Sequence, residues 1–299
     1  MDWHHVNTPW LRIAYEDHHR QGRGPIVLLH GWPDSTRTWQ GVVPLLVQAG
    51  WRVIVPALRG FAPTQFLDAQ TPRSGQLAAL GRDLLEFIDA LGLQRPVLVG
   101  HDWGARAVAN ACGLRAGVAS HMVLVSSGYG TNTPDQPLSL EQVRNYWYHW
   151  FMATPRGQHT VRTQGKDFAR IMWDTWAPAG WYDPAEFDAT AQAFDNPDWP
   201  EVTLHSYTHR WGHASGNPTY EPDDAALNPA PVLDVPTLML HGEADGVNPP
   251  ASSAGKEGFF KSRYERVLLP GIGHFPQREN PELIAQHLLR FLQASPQST

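Results

Sequence analysis

The stretch that most constrains this chain is Val97-Leu98-Val99-Gly100-His101-Asp102-Trp103-Gly104-Ala105-Arg106-Ala107-Val108, an apolar strand that runs through a glycine-flanked turn into a helical pattern. Small residues on both sides of a central residue let strand and helix pass closely, and the tight turn projects the central side chain above the sheet, as in a nucleophile elbow. Asp102 sits at the apex, so the projected group is a carboxylate and not a hydroxyl.

The pattern around this turn recurs. Trp3 to Glu16, followed by Gln21-Gly22-Arg23-Gly24-Pro25, reads as an antiparallel opening hairpin. Ile26-Val27-Leu28-Leu29 and Arg52-Val53-Ile54-Val55-Pro56 are short continuous apolar runs, the signature of strands buried on both faces. Ser35 caps a predicted helix reaching about Ala49, and Leu77, Leu80, Leu84, Leu85, Ile88 and Leu91 recur at helical spacing until Gly92. With the elbow strand and His121-Met122-Val123-Leu124-Val125, strands alternate with helices as in βαβ units. The rhythm breaks from Thr131 to Asn228, where Trp, Tyr, Pro and His dominate and helices are predicted over Ser139 to Met152 and Asp183 to Phe194. It resumes with Pro236 to Leu240, a helix around Ala251 to Phe260, the strand Arg266 to Leu269 and a helix Pro281 to Leu292, before a tail, Gln293 to Thr299, expected to be disordered. The expected fold class is therefore α/β: a mostly parallel sheet flanked by helices, with a core of residues 1–130 and 228–299 and a helical cap of 131–227.

Composition narrows the function classes. A net charge of −6 and the lack of any basic run argue against nucleic acid. Met1-Asp2-Trp3-His4-His5 does not resemble a secretory leader, and no apolar run approaches the roughly 20 residues a membrane span needs, so no membrane partner and a cytoplasmic location are expected. The single cysteine, Cys112, reads as a buried small apolar residue in the helix after the elbow. The pairs His4-His5 and His18-His19 read as surface histidines and not metal ligands, since neighbours on a strand point to opposite faces. Tryptophans gather between residues 146 and 211, which suits either a helical core or an apolar pocket wall.

Strands in an open α/β sheet end at the ligand crevice. Leu240 is followed by His241-Gly242-Glu243-Ala244-Asp245, and Leu269 by Pro270-Gly271-Ile272-Gly273-His274-Phe275, so Asp102, Asp245 and His274 are predicted to converge. Their order, nucleophile then acid then histidine, is that of an α/β-hydrolase triad. Together with His30-Gly31-Trp32-Pro33, these motifs resemble the α/β-hydrolase superfamily from end to end, and within it the aspartate-nucleophile branch of epoxide hydrolases and dehalogenases. Aspartate has a chemical rationale. A serine attacking an sp³ carbon would leave an ether that water does not readily cleave, whereas a carboxylate, already ionised at neutral pH, leaves a hydrolysable ester. The resemblance implies that Asp102 attacks, that His274 activates water, that Asp245 orients His274, and that the backbone N–H groups of Trp32 and Trp103 form the oxyanion hole. No metal and no organic cofactor is expected.

What leaves is decided in the cap. Epoxide opening needs an acid near the developing alkoxide, and the resemblance implies one or two cap tyrosines, matched by Tyr207 and by Tyr148, with Tyr146 and His149 as alternatives at the first position. The segment Tyr148-His149-Trp150-Phe151 is also similar to the halide pocket of haloacetate dehalogenases, which places His149, Trp150 and Arg106 at the substrate pocket. Those enzymes carry two arginines just after the nucleophile; Arg106 matches the second, but Trp103 replaces the first, and Ser126-Ser127-Gly128 offers no acid after the earlier strand. Trp103 is shared with haloalkane dehalogenases. The reading is thus an epoxide hydrolase acting on a small hydrophobic substrate, with a haloacid or haloalkane dehalogenase as the alternative enzyme. A ligand-binding receptor that kept the fold without turnover is the alternative of another class, and the complete triad counts against it.

Overall fold

The computed structural model describes residues 3–131 and 136–293. Its strands are β1 (His4–Asn7), β2 (Leu11–His18), β3 (Arg23–Leu29), β4 (Trp51–Pro56), β5 (Gln65–Phe66), β6 (Val97–His101), β7 (His121–Val125), β8 (Thr237–Gly242) and β9 (Tyr264–Leu269). They form one sheet in the order β1-β2-β4-β3-β6-β7-β8-β9, with β5 paired to β2. The opening hairpin is antiparallel, and from β4 onward each neighbouring pair is parallel.

The continuous apolar runs are sorted by the two-residue period of the strand. Ile26, Leu28, Val53, Val55, Val97, Val99, Val123 and Val125 enter one core layer, where they meet Leu46 of helix α1 (Val43–Gln48) and Ile284, Leu288 and Phe291 near the C-terminus. Val27, Leu29, Ile54, Leu98 and Leu124 enter the other, with Leu80 and Leu84 of α2 (Leu77–Ala90) and Val108 of α3 (Trp103–Leu114). Every strand pointing at both layers explains why no polar alternation appears in the sequence.

The break in rhythm corresponds to helices α4 (Leu140–Asn145), α5 (Trp147–Met152), α6 (Pro155–Thr163), α7 (Gly165–Thr175), α8 (Pro184–Thr190), α9 (Trp199–His209) and α10 (Glu221–Leu227), all between β7 and β8 in the chain. The chain closes with α11 (Pro276–Glu279) and α12 (Pro281–Gln293). The tail expected to be disordered lies outside the described residues from 294 on.

Four expected helices differ. Ser35 caps only a 3₁₀ turn, Thr36–Trp39, accepting from the Arg37 N–H at 3.3 Å. Pro44, which has no N–H to continue that turn, instead opens α1. Ser139 to Met152 is two helices, broken at Tyr146 (φ −86°, ψ 20°), whose hydroxyl is drawn to Asn248 at 2.9 Å. Asp183 caps α8, but the chain tightens to a 3₁₀ turn from Ala191 to Asp195. Around Ala251 to Phe260 there are two 3₁₀ turns, Pro250–Ser253 and Glu257–Phe259, separated by Gly255 at φ +66°.

Candidate active site

Asp102 closes β6 with φ +49° and ψ −110°, a conformation in which a residue with a side chain is strained. The strain persists because close packing over-determines it: a Cβ on Gly100 would run into the Gly104 carbonyl, and one on Gly104 would strike the carbonyls of Leu29 and His30. The carboxylate therefore stands at the C-terminal edge of the sheet and at the N-terminus of α3, where the Trp103 N–H, the first of the helix, has no intrahelical acceptor. The Trp32 N–H donates to Asp102 Oδ1 at 2.9 Å.

The triad residues meet as expected. His274 Nδ1 lies 2.9 Å from Asp245 Oδ2, and its Nε2 faces Asp102 Oδ2 at 3.9 Å. Asp245 is oriented by its own loop, since its Oδ1 accepts from the N–H groups of Val247 and Asn248 at 2.9 and 2.8 Å. Burial alone would raise the Asp245 pKa, but the charge of His274 and hydrogen bonds from His241 and His274 hold it well below the usual carboxylate range. A carboxylate that stays charged fixes the proton on His274 Nδ1, which leaves Nε2, buried and unpartnered among the described residues, as the basic nitrogen. Burial pushes the His274 pKa down; the charges of Asp245 and then Asp102 outweigh it, and the net shift is upward.

Most supports of these loops act through backbone and so carry little signature in the sequence. Glu279 accepts from the N–H groups of Gly273 and Phe275 at 2.7 and 3.0 Å, gripping the chain on both sides of His274. The Trp176 carbonyl accepts from the N–H groups of both His274 and Gly246 at 3.0 Å, so one residue from the inserted helices braces the acid and base loops together. His101 Nε2 donates to the His274 carbonyl at 2.7 Å, and burial, then the His274 charge, lowers the His101 pKa to about 4, keeping it neutral. Arg278 forks onto Asp34 at 2.6 and 2.9 Å and reaches Glu186 of α8 at 2.9 Å, tying the loop after β3 to the histidine loop and to the insertion. The acid five residues after His274, in Phe275-Pro276-Gln277-Arg278-Glu279, is the sequence signal for the Glu279 grip.

The aromatic residues sort themselves by their hydrogen bonds. Trp103 Nε1 donates to the Tyr207 hydroxyl at 3.0 Å, and an indole can only donate, so Tyr207 keeps its own proton to give elsewhere. Tyr148 lies parallel to the Trp32 ring (5.7 Å between centroids, 9°) and edge-on to Tyr207 at 5.2 Å. Burial first, then neighbouring tyrosine and the Asp102 charge, raises the Tyr148 pKa well above 10; burial and then Asp102 do the same for Tyr207. Burial thus favours the protonated form of both hydroxyls, and the Asp102 charge reaches both.

The alternatives at the first position have other hydrogen-bond partners, although the His149 ring packs 4.6 Å from that of Tyr207. Tyr146 donates to Asn248, and His149 Nδ1 accepts from the Trp211 indole at 2.9 Å, with burial and then the charges of Arg210 and Arg106 lowering its pKa well below 6.5. Trp150, expected at the substrate pocket, is half-buried, and its indole donates to the Val143 carbonyl at 2.9 Å. Arg106 binds the Thr131 carbonyl and hydroxyl at 3.0 and 3.2 Å and lines a cavity behind α3. Cys112 is buried, and burial raises its pKa to about 12. Among the described residues no three His, Cys, Asp or Glu side chains gather as a metal set, and no helix is long and apolar enough to cross a membrane.

The chain is similar in sequence and fold to several known proteins. Epoxide hydrolase A from Mycobacterium tuberculosis (strain ATCC 25618 / H37Rv) is 25% identical over 311 residues, covering 96% of each chain. A non-heme chloroperoxidase from Burkholderia pyrrocinia is 29% identical over 297 residues, covering 95% of this chain and 97% of its own. A crystal structure from Klebsiella pneumoniae subsp. pneumoniae MGH 78578, provisionally called an epoxide hydrolase, superposes with a TM-score of 0.92 at 35% identity, covering 98% of this chain and 97% of that one. The sequence model of the alpha/beta hydrolase fold matches residues 24–281. With an elbow, a sheet order and a site of this kind, the chain belongs to the α/β-hydrolase fold family and is epoxide hydrolase-like.

Proposed function

We propose that the protein opens epoxides to vicinal diols through a covalent ester on Asp102. The observation that carries this reading is the pair of buried tyrosines, Tyr148 and Tyr207, packed edge-on to one another within reach of the Asp102 charge, with the Trp103 indole donating to the Tyr207 hydroxyl.

In the first step an Asp102 oxygen forms a bond to an epoxide carbon while the carbon–oxygen bond breaks, and the departing oxygen takes a proton from tyrosine. Trp32 N–H orients the attacking carboxylate through Oδ1, which leaves Oδ2, on the His274 side, as the nearer oxygen to that base. In the second step His274 Nε2 removes a proton from water, and the hydroxide adds to the ester carbonyl. The resulting oxyanion is held by the N–H groups of Trp32 and Trp103, donors whose individual loss costs roughly 10² to 10³ in rate. Collapse releases the diol, restores the Asp102 carboxylate and returns the His274 proton to the tyrosine through solvent.

Esterification also prepares the base. The Asp102 charge is one of the influences that raise the His274 pKa, so its conversion to a neutral ester lowers that pKa and frees Nε2 when a base is needed.

A halide leaving group would need free N–H donors. The Trp103 indole is committed to Tyr207 and the Trp32 indole to Thr203 Oγ1 at 3.1 Å, which favours epoxide over carbon–halogen cleavage. The deciding experiment assays styrene oxide-like epoxides, haloalkanes and haloacetates in parallel and searches His274→Ala by mass spectrometry for an alkylated Asp102. Diol formation with a trapped ester is the expected result; halide release without diol formation, or tight binding with no turnover at all, overturns it.

A further inference from the structure

Asp245 has more donors around it than the base alone. Its Oδ1 accepts from the N–H groups of Val247 and Asn248, and its Oδ2 accepts from His274 Nδ1 at 2.9 Å. A second imidazole stands beside that same oxygen. His241, fully buried near the end of β8, places its Nε2 3.5 Å from Asp245 Oδ2. The nitrogen also lies 2.8 Å from the Asn248 carbonyl, and a carbonyl only accepts, so Nε2 carries a hydrogen.

The far side of the ring explains why the hydrogen sits there. His241 Nδ1 lies 2.8 Å from Ser253 Oγ. Arg266 of β9 donates both to Ser253 Oγ, at 2.9 Å, and to the Pro250 carbonyl, the other acceptor that the serine hydroxyl reaches, at 3.1 Å. With that carbonyl supplied by the arginine, the serine proton is free to go to Nδ1, and hydrogen on Nε2 is the tautomer that satisfies every member of the chain. Ser253 and Asn248 would be partners enough for a histidine that only filled space. What sets this one apart is that its N–H also faces a charged carboxylate whose other side-chain donor is the base.

One oxygen facing two imidazole N–H groups divides its charge between them. Burial lowers the His274 pKa, and Asp245, then Asp102 and Glu279, raise it, so whatever blunts the Asp245 charge lets His274 release its proton more readily. The other groups around the base are Asp102, facing Nε2 at 3.9 Å, Glu279 of α11, engaged with the N–H groups of Gly273 and Phe275, and His101, whose ring lies 4.9 Å away and is kept neutral chiefly by burial. Around His241 the charged neighbours are Asp245 and, through Ser253, Arg266.

We propose that His241 is a positioning residue of the reaction, whose Nε2–H shares Asp245 Oδ2 with His274 so that the acid aligns the base without holding it protonated when the ester has to be hydrolysed. The timing within an ester mechanism rests on the function proposed above; the effect of His241 on His274 does not.

The test follows His274 in two ways, by NMR titration of its imidazole and by the pH dependence of decay of an ester preformed on Asp102, measured by rapid quench. His241→Leu removes the N–H. The midpoint of both curves is expected to rise by roughly half to one pH unit, the scale of one ordinary hydrogen bond, which slows decay by roughly three- to tenfold on the acid limb. His241→Gln, whose side-chain amide can place an N–H where Nε2 stands, is expected to return the midpoint toward its original value. A midpoint that stays in place while decay falls equally at every pH makes His241 a packing residue and overturns the proposal, and so does a midpoint that falls. The unaltered protein supplies a second measurement that no folding defect touches: the ring nitrogen shifts of His241 are expected to show hydrogen on Nε2 and none on Nδ1, and the reverse tautomer overturns the proposal. If no epoxide alkylates Asp102 in His274→Ala, the function proposed above fails, while a raised His274 midpoint in His241→Leu still upholds the part played by His241.

Discussion

The two halves of this site are built by different means. Around the triad, side chains are held by main chain: Asp245 by two loop N–H groups, His274 between the Glu279 carboxylate and the Trp176 carbonyl, and Asp102 by a turn that tolerates no Cβ at Gly100 or Gly104. Among the inserted helices the two tyrosines are held by other side chains, Tyr148 stacked on Trp32 and Tyr207 edge-on to it with an indole N–H on its hydroxyl. Backbone contacts depend little on residue identity, so the first half is a rigid frame. Contacts between side chains change with each substitution, so the second half is where substrate preference can vary without loss of the fold.

This contrast is open to direct attack. His274→Ala should lower turnover most, by roughly 10² to 10⁴ as expected for a general base, and should leave the Asp102 ester detectable by intact-protein mass spectrometry. Tyr148→Phe combined with Tyr207→Phe should slow ester formation by a similar factor of roughly 10² to 10⁴, while decay of a preformed ester is unchanged; rapid-quench kinetics separate the two steps, and equal slowing of both would erase the distinction between the halves. Gly104→Ala should cost several times the ~1 kcal/mol of an ordinary substitution, read as a fall in Tm, because its Cβ meets backbone and not a movable side chain.

Smaller effects probe the coupling. Ester decay should be slow at acid pH and rise to a plateau as His274 loses its proton, since only the neutral imidazole accepts one from water. Because Asp102 contributes to the raised His274 pKa, Asp102→Asn should lower that pKa in an NMR titration, and an unchanged value would disconnect the two groups. Trp103→Phe, which keeps the ring and removes the indole N–H, should reduce epoxide opening by about one hydrogen bond, roughly three- to tenfold, with little change in Tm.

Much of the frame was legible because its determinants are local. Asp102 between Gly100 and Gly104, and Asp245 and His274 just past the apolar runs of β8 and β9, occupy places that any open parallel sheet directs to one edge. The helix breaks were less visible. A continuous helix from Ser139 to Met152 is consistent with composition, yet Tyr146 is pulled out of register by Asn248, a residue 102 positions away. The same holds for Trp150, whose place beside His149 in the sequence says nothing of the Val143 carbonyl it binds.

By itself the sequence determined a mostly parallel α/β sheet, a carboxylate on a strained turn, and an acid and a histidine at neighbouring strand ends, because strand period, glycine and strand ends act over a few residues. Only the tertiary structure decided that Tyr148 packs edge-on to Tyr207 while Tyr146 turns its hydroxyl to Asn248, and that Arg106 shares a cavity with Arg210. Aromatic and cationic side chains reach far and pack in many directions, so their aim is set by partners distant in the chain, such as Trp211 for His149 and Trp103 for Tyr207.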